Sequence, residues 1–265
     1  MSEKRSKIST GWPELLYPIL GVAVFVLLWQ LAAACLVRAE YILPTPLAVA
    51  RALAENAGLL WQHSLYTLAE AALGLGLSVL LSVAIAALIS SSPLLHKISY
   101  PLLLGSQMVP IIVLAPLFLI WFGYGMLPKV LVVILICFFP VTINVMAGLA
   151  AAGGETLAYY RLMSADKARL FRLVRLPYAL PYFFSGLRVA ATYSVMGAVI
   201  GEWLGAQAGL GLLLTRAQRS FDLPLVFAAI VAIIVWSALL FALVRLAEHY
   251  LLGWQKAAQA EKWDQ

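Results

Sequence analysis

Five stretches of this chain contain no Asp, Glu, Lys or Arg: 15–37, 71–96, 98–128, 130–154 and 223–244. Each is long enough to cross a bilayer core as a helix, which takes roughly 20 residues. In lipid every backbone N–H and C=O must find a partner inside the segment, and a helix supplies one for each. A sixth stretch, about Leu180 to Leu204, contains Arg188 and Glu202. Both are expected near its ends, where long side chains reach the interface. The fold class expected is therefore all-α, a polytopic membrane protein with six transmembrane helices. Composition agrees, with 63% hydrophobic residues, 11% charged and a mean hydropathy of +0.95. Soluble domains run nearer about 45–50% apolar and about 25% charged. A water-soluble globule, a disordered chain and, with two cysteines, a disulfide scaffold are all excluded.

These runs divide the chain into an N-terminal tail (1–14), a first span (15–37), an outer segment (41–62), a core of spans (63–248) and a C-terminal tail (249–265). The outer segment opens with Leu43-Pro44-Thr45-Pro46 and is too polar to span. It reads as a turn and a short amphipathic helix whose Val49, Leu53 and Leu60 share a face. With the N-terminus inside, thirteen of the 18 basic residues fall in cytoplasmic segments, which places both termini in the cytoplasm. The net charge of +6 is then explained by anionic membrane lipid and gives no reason to invoke nucleic acid. Trp12, Tyr41, Trp61, Trp121, Trp203 and Trp254 gather at the span ends as an interfacial belt. Lys4, Arg5 and Lys7 before an apolar run resemble a signal peptide, but 23 uncharged residues exceed its usual apolar core of about 7–15, so an uncleaved first helix is expected. Cys35 and Cys137 both fall in apolar runs, which speaks against a disulfide or a metal site.

In the second span Gly74, Ser78, Ser82, Ala86 and Ser90 recur every four residues, a small-residue ridge for close helix packing. Packing within the chain is the expected use, with a subunit interface as the alternative. The third is interrupted by Pro101, Pro110 and Pro116, with Gly105, Ser106 and Gln107 between them. Backbone groups freed by proline are tolerated where protein or a water-filled cavity satisfies them, so this span is expected to line a passage. Gln107, Asn144 on the fourth span and Tyr193 on the fifth are the candidate polar lining, together with Glu202. Packing and backbone rescue account for each as well as solute contact does. Neutral amides and hydroxyls would suit a heteroaromatic or zwitterionic solute better than a bare anion.

Catalytic constellations are missing. There is no G-x-x-x-x-G-K-[ST] loop, no H-E-x-x-H, no C-x-x-C and no G-x-S-x-G. His63, His96 and His249 lie at scattered depths, which argues against a metal cluster. Glu70 and Glu202 read as isolated acids facing water at the outer ends of their helices. No catalytic residue, cofactor or metal is expected, and an enzyme is improbable on these residues.

The longest inner loop, 155–177, carries Arg161, Arg169, Arg172 and Arg175 within roughly a 120° arc if helical. Leu162, Leu170, Leu173 and Val174 supply apolar positions beside them, and Leu176-Pro177 reads as the stop. A membrane-surface helix and a docking helix for a cytoplasmic partner both fit this pattern.

The stretch Ala158 to Leu187, AYYRLMSADKARLFRLVRLPYALPYFFSGL, resembles the EAA loop of binding-protein-dependent ABC importer permeases. Leu176 and Pro177 fall on that loop's L-P, Val174 on its isoleucine, Ser164 on its glycine and Ala158-Tyr159-Tyr160 on its E-A-A. The leading glutamate and the glycine are thus replaced by Ala158 and Ser164. The resemblance continues over about Tyr41 to Trp254, through Trp121-Phe122-Gly123-Tyr124-Gly125 and Gly201-Glu202-Trp203-Leu204-Gly205, and is similar to the subgroup importing nitrate, sulfonates, taurine and thiamine-pyrimidine precursors. Leu180 to Arg188 look closest to the pyrimidine-precursor or riboflavin type.

The resemblance implies a type I (MetI-like) permease fold in a bacterial inner membrane. It implies cytoplasmic ATP-binding cassette subunits, an extracytoplasmic solute-binding protein and a second permease copy as partners, with alternating access driven by ATP. Tyr160, Arg161, Ser164, Asp166, Lys167, Arg169, Arg172, Leu176 and Pro177 would then form the segment gripped by the ATPase. A self-sufficient carrier or channel is the competing class. Against it stands the expectation that the spans contain no buried ionisable pair fit for a proton relay.

Overall fold

The computed structural model describes residues 13–36, 42–153, 159–160 and 166–253. Among them the regular structure is helical. The elements are α1 (Pro13–Leu31, continued by a π turn Ala32–Leu36), α2 (Pro46–Glu55), α3 (Ala57–Ser90), α4 (Pro93–Ser106) and α5 (Ile111–Phe122). They continue with α6 (Met126–Ala150), α7 (Lys167–Leu170, then a π turn Phe171–Arg175), α8 (Leu176–Trp203), α9 (Leu210–Arg219) and α10 (Leu223–Leu251). Four helical segments have the length and hydropathy of a full span: α3, α6, the unit Phe171–Trp203 and α10. A fifth follows if α4 and α5, bent by 91° at their junction, count as one broken span. The apolar part of the first helix, Ile19–Cys35, is shorter than these, so by length and hydropathy the described residues give four spans, or up to five with the broken pair, and a shorter apolar helix where the first of the six was expected.

The centre of the molecule is the packing of α3, α6 and α8, whose contact is lined by Ala71, Val133, Val141, Ala190 and Val195, all fully buried. The ridge on α3 is used within the chain, as expected. Gly74, Ser78, Ser82 and Ala86 are buried, and Ser82 Oγ donates to the Phe138 carbonyl at 3.0 Å. On α8 two close approaches to α6 require the absence of a side chain at one partner. A Cβ on Gly186 would lie 2.6 Å from the Pro140 carbonyl oxygen, and one on Gly148 would lie 2.8 Å from Ala179 Cα. Backbone atoms cannot swing aside, so Gly186→Val is expected to destabilise by about 1–3 kcal/mol or more. Gly76→Val, at a position with open space around it, serves as the control in the same thermal-unfolding measurement. Equal midpoints for the two variants would refute the tight crossing.

The outer segment departs from expectation. Asn56 breaks the chain between α2 and α3, so Val49 and Leu60 belong to different helices, although both are buried and Leu53 is half-buried. Helix α3 begins at Ala57, ahead of the expected start at 63. The start of α2 follows local chemistry: Pro46 occupies its first turn and Thr45 Oγ1 accepts from the Ala48 amide at 3.2 Å. The Pro44 carbonyl accepts from Trp29 Nε1 at 3.1 Å, which ties α1 to this turn. Asp222 caps α10 in the same way, accepting from the Leu225 amide at 3.2 Å.

Two further expectations are corrected. Leu176-Pro177 does not stop the helix, which runs without interruption from Lys167 to Trp203. Proline lacks the N–H that would bond one turn back, and the wider π turn Phe171–Arg175 just before it takes up that mismatch. Arg188 does not snorkel from a helix end. It sits mid-α8, with Nη1 3.4 Å from Glu248 Oε2 on α10.

Candidate functional site

Two sites follow from this packing, one at each end of the α3–α6–α8 unit. At the Arg175 end, Asp166 Oδ1 accepts from the Arg169 amide at 2.7 Å and so caps α7. Leu170 and Val174 turn inward against Ala152, with Tyr160 half-buried beside them. The opposite side presents Arg169, Arg172, Leu173 and Leu176 to the exterior, and Leu173 is 60% exposed. This short helix is therefore amphipathic with an apolar strip inside its basic face, a pattern that a membrane-surface helix and a docking helix share. Lys167 opens α7 and Pro177 lies in the first turn of α8. Arg161, Leu162 and Ser164 lie outside the described residues.

At the Glu202 end, the two acids are neither isolated nor facing water. Glu70 is buried with Oε1 2.6 Å from Lys129 Nζ, an ion pair between α3 and α6. Glu202 is buried on α8 with both oxygens engaged. Thr67 Oγ1 donates to Oε1 at 2.6 Å and the Gly211 amide donates to Oε2 at 2.5 Å. The Leu210 amide donates back to Thr67 Oγ1 at 2.8 Å. Gly209 holds its amide nitrogen 3.0 Å and its carbonyl oxygen 2.8 Å from His63 Nδ1, and the ring tautomer decides which of them is bonded. The loop from Gly205 to Gly211 is thus folded around the Glu202 carboxylate. Gly209 adopts φ +126, and a Cβ there would collide with that carboxylate, so no other residue fits. Glu70 Oε2 has no hydrogen-bond partner among the described residues.

Residue-by-residue reading of the sequence missed this cluster because Thr67, Glu70, Lys129, Glu202 and Gly209 come from four distant segments. The available signal was the scarcity of charge: an acid within an otherwise apolar span implies a partner. The cluster also removes the expectation that the spans contain no buried ionisable pair, since Glu70–Lys129 is one.

The four candidate lining residues do not come together. Gln107 is exposed at the bend between α4 and α5. Asn144 Nδ2 donates to the Pro140 carbonyl at 2.7 Å, beside the Gly186 crossing. Tyr193 is exposed on α8, and Glu202 is closed off by its own loop. No hydrogen bond joins any two of them. Among the described residues no group of three or more His, Cys, Asp or Glu could hold a metal ion.

Residues 69–251 match the family described as binding-protein-dependent transport system inner membrane component. That stretch covers most of the chain and both sites except His63 and Thr67. The protein belongs to this permease family. Among its relatives, a formylaminopyrimidine transport permease protein of Halalkalibacterium halodurans is 36% identical over 92% of this chain and 97% of its own length. A riboflavin transport system permease protein of Chloroflexus aurantiacus is 33% identical over 92% and 91%. A taurine transport system permease protein of Escherichia coli is 28% identical over 96% of each. The permease is thus a multi-pass component of an inner membrane and an ABC transporter subunit, not an enzyme in itself. Its family implies an ATPase and a binding protein as partners. Family membership, rather than any lack of buried charge, is what decides against a self-sufficient carrier.

Proposed function

We propose that this permease forms the import path for a thiamine-pyrimidine precursor or a related heteroaromatic solute. The observation that carries the reading is its 36% identity, across nearly the whole of both chains, to a formylaminopyrimidine permease. The relative named for riboflavin, another heteroaromatic, supports the same class. The one arginine in the middle of a described span, Arg188, is already paired with Glu248, which fits a neutral solute better than a sulfonate, the alternative raised by the sulfonate and taurine relatives.

In this reading the Arg175 end is cytoplasmic, and Tyr160 to Pro177 is the segment on which an ATPase subunit docks. Asp166 fixes its first turn, Leu170 and Val174 fasten it to the bundle, and Arg169, Arg172 and Leu176 make the contact. Two copies of the chain face one another, and α4, which buries no residue of its own, provides surface for that pairing. The complex reconstituted with its ATPase and binding protein tests the solute. A formylaminopyrimidine or hydroxymethylpyrimidine is expected to raise ATP hydrolysis at least several-fold over the solute-free rate, with taurine inactive. Stimulation by taurine or an alkanesulfonate alone overturns the assignment.

A further inference from the structure

At the Arg175 end a cavity of about 610 Å³ opens between the α3–α4 turn, the start of α4 and the π turn that precedes α8. Ser90, Ser91, Ser92, His96 and Arg175 form its polar wall. Through Ala87, Leu149 and Phe171 it shares a boundary with a second cavity of about 180 Å³. This second cavity is a groove with wholly apolar walls, open to the surface past the exposed Val83, Phe171 and Leu176, with the buried Val145 and Ala179 in its floor. A cavity holding Arg175 and three serines beside an apolar surface groove fits an amphiphile with an anionic head and a hydrocarbon tail.

We propose that this pair of adjoining cavities binds an anionic phospholipid, its phosphate against Arg175 and Ser92 and one acyl chain along the apolar groove. Arg175 is half-buried and makes no ion pair among the described residues. Ser92 stands at the N-terminal cap of α4 yet its hydroxyl makes no capping bond, which leaves it free to donate. Lys97, exposed one residue beyond His96, adds a second positive charge near the mouth. Basic pockets between helices at the cytoplasmic surface are where anionic lipid is favoured, through charge and hydrocarbon burial together. A free phosphate would leave the apolar groove unused, and a neutral heteroaromatic would have no use for Arg175. The proposal goes beyond the transport reading; it shares with it the orientation of the Arg175 end, and Arg175 and Leu176 lie at the edge of the segment read there as the ATPase contact.

The test uses the assembled permease–ATPase complex in nanodiscs of phosphatidylcholine with a minor share of phosphatidylglycerol, with retained lipid counted by native mass spectrometry. Phosphatidylglycerol is expected to be enriched roughly tenfold over its share of the bilayer. Arg175→Gln and, separately, Ala87→Phe, which fills the boundary between the cavities, should each abolish the enrichment. Arg245→Gln, an arginine of α10 outside the cleft, should keep it. Because Ala87 lies away from the basic segment, that variant still decides the matter if Arg175→Gln fails to assemble. Unbiased retention of the two lipids, or enrichment that survives Ala87→Phe, overturns the proposal. So does displacement of the lipid by inorganic phosphate alone, which would mark a simple anion site, or occlusion of the cleft by the second copy. A failed solute assignment would leave the lipid count unchanged, so the two readings fail separately.

Discussion

Lys129→Met is expected to lower the thermal unfolding midpoint of the purified permease by roughly 10 °C. Lys129 and Glu70 are both buried, and their contact at 2.6 Å is a direct electrostatic link between α3 and α6. Removing the lysine leaves a buried carboxylate without its counter-charge, and breaking such a pair costs about 3–5 kcal/mol. Glu70→Gln should do similar damage by stranding the ammonium. The informative variant is the double replacement, Glu70→Leu with Lys129→Met. Apolar side chains of similar size can substitute for a buried pair at little cost, so much of the lost stability should return. Single variants that unfold at the wild-type temperature would show that the pair contributes nothing, and additive losses in the double variant would show that the two residues act independently.

Reversing charge at Arg169 and Arg172 together is expected to weaken capture of the ATPase subunit by roughly 100-fold, equivalent to about 2.7 kcal/mol. Both side chains are exposed, and neither supports the interior, since Leu170 and Val174 hold the segment in place. The folded permease should therefore survive the change while its partner does not bind. Arg216→Glu with Arg219→Glu, in the last turn of α9 near the opposite end, provides a charge-matched control that should retain the ATPase. Pull-down from solubilised membranes together with ATP hydrolysis by the complex gives the answer. Normal capture by the Arg169 and Arg172 double variant would remove this segment from the docking role.

Much of the architecture was legible because lipid imposes it. Charge-free runs located α6 to within four residues at each end, whereas α3 starts 14 residues ahead of its run and α10 ends seven beyond its own; the four-residue spacing from Gly74 to Ala86 announced a close helix contact within the chain. The basic loop was also readable, since Arg169 and Arg172 on the outside and Leu170 and Val174 on the inside follow helical periodicity. What escaped were features decided by tertiary partners. Leu176-Pro177 looks like a terminus until the preceding π turn is seen to accommodate the proline. Arg188 looks stranded until Glu248 arrives from another helix. Glu202 looks water-facing until the Gly205–Gly211 loop closes over it. For Arg188 the missing information was a contact with a distant helix, whereas for Leu176-Pro177 and Glu202 it was the backbone path of a neighbouring turn or loop, which residue patterning does not encode.

The right-angled elbow between α4 and α5 has a mechanical meaning. Three helices are pinned together by glycine crossings and by carboxylates at one end, so they resist being sheared apart. The two arms of the elbow bury between them a single residue, Ala115, so comparatively little packing ties them to the slab. If the machine changes shape, the slab is expected to travel as a unit, with the elbow as the place where the chain flexes.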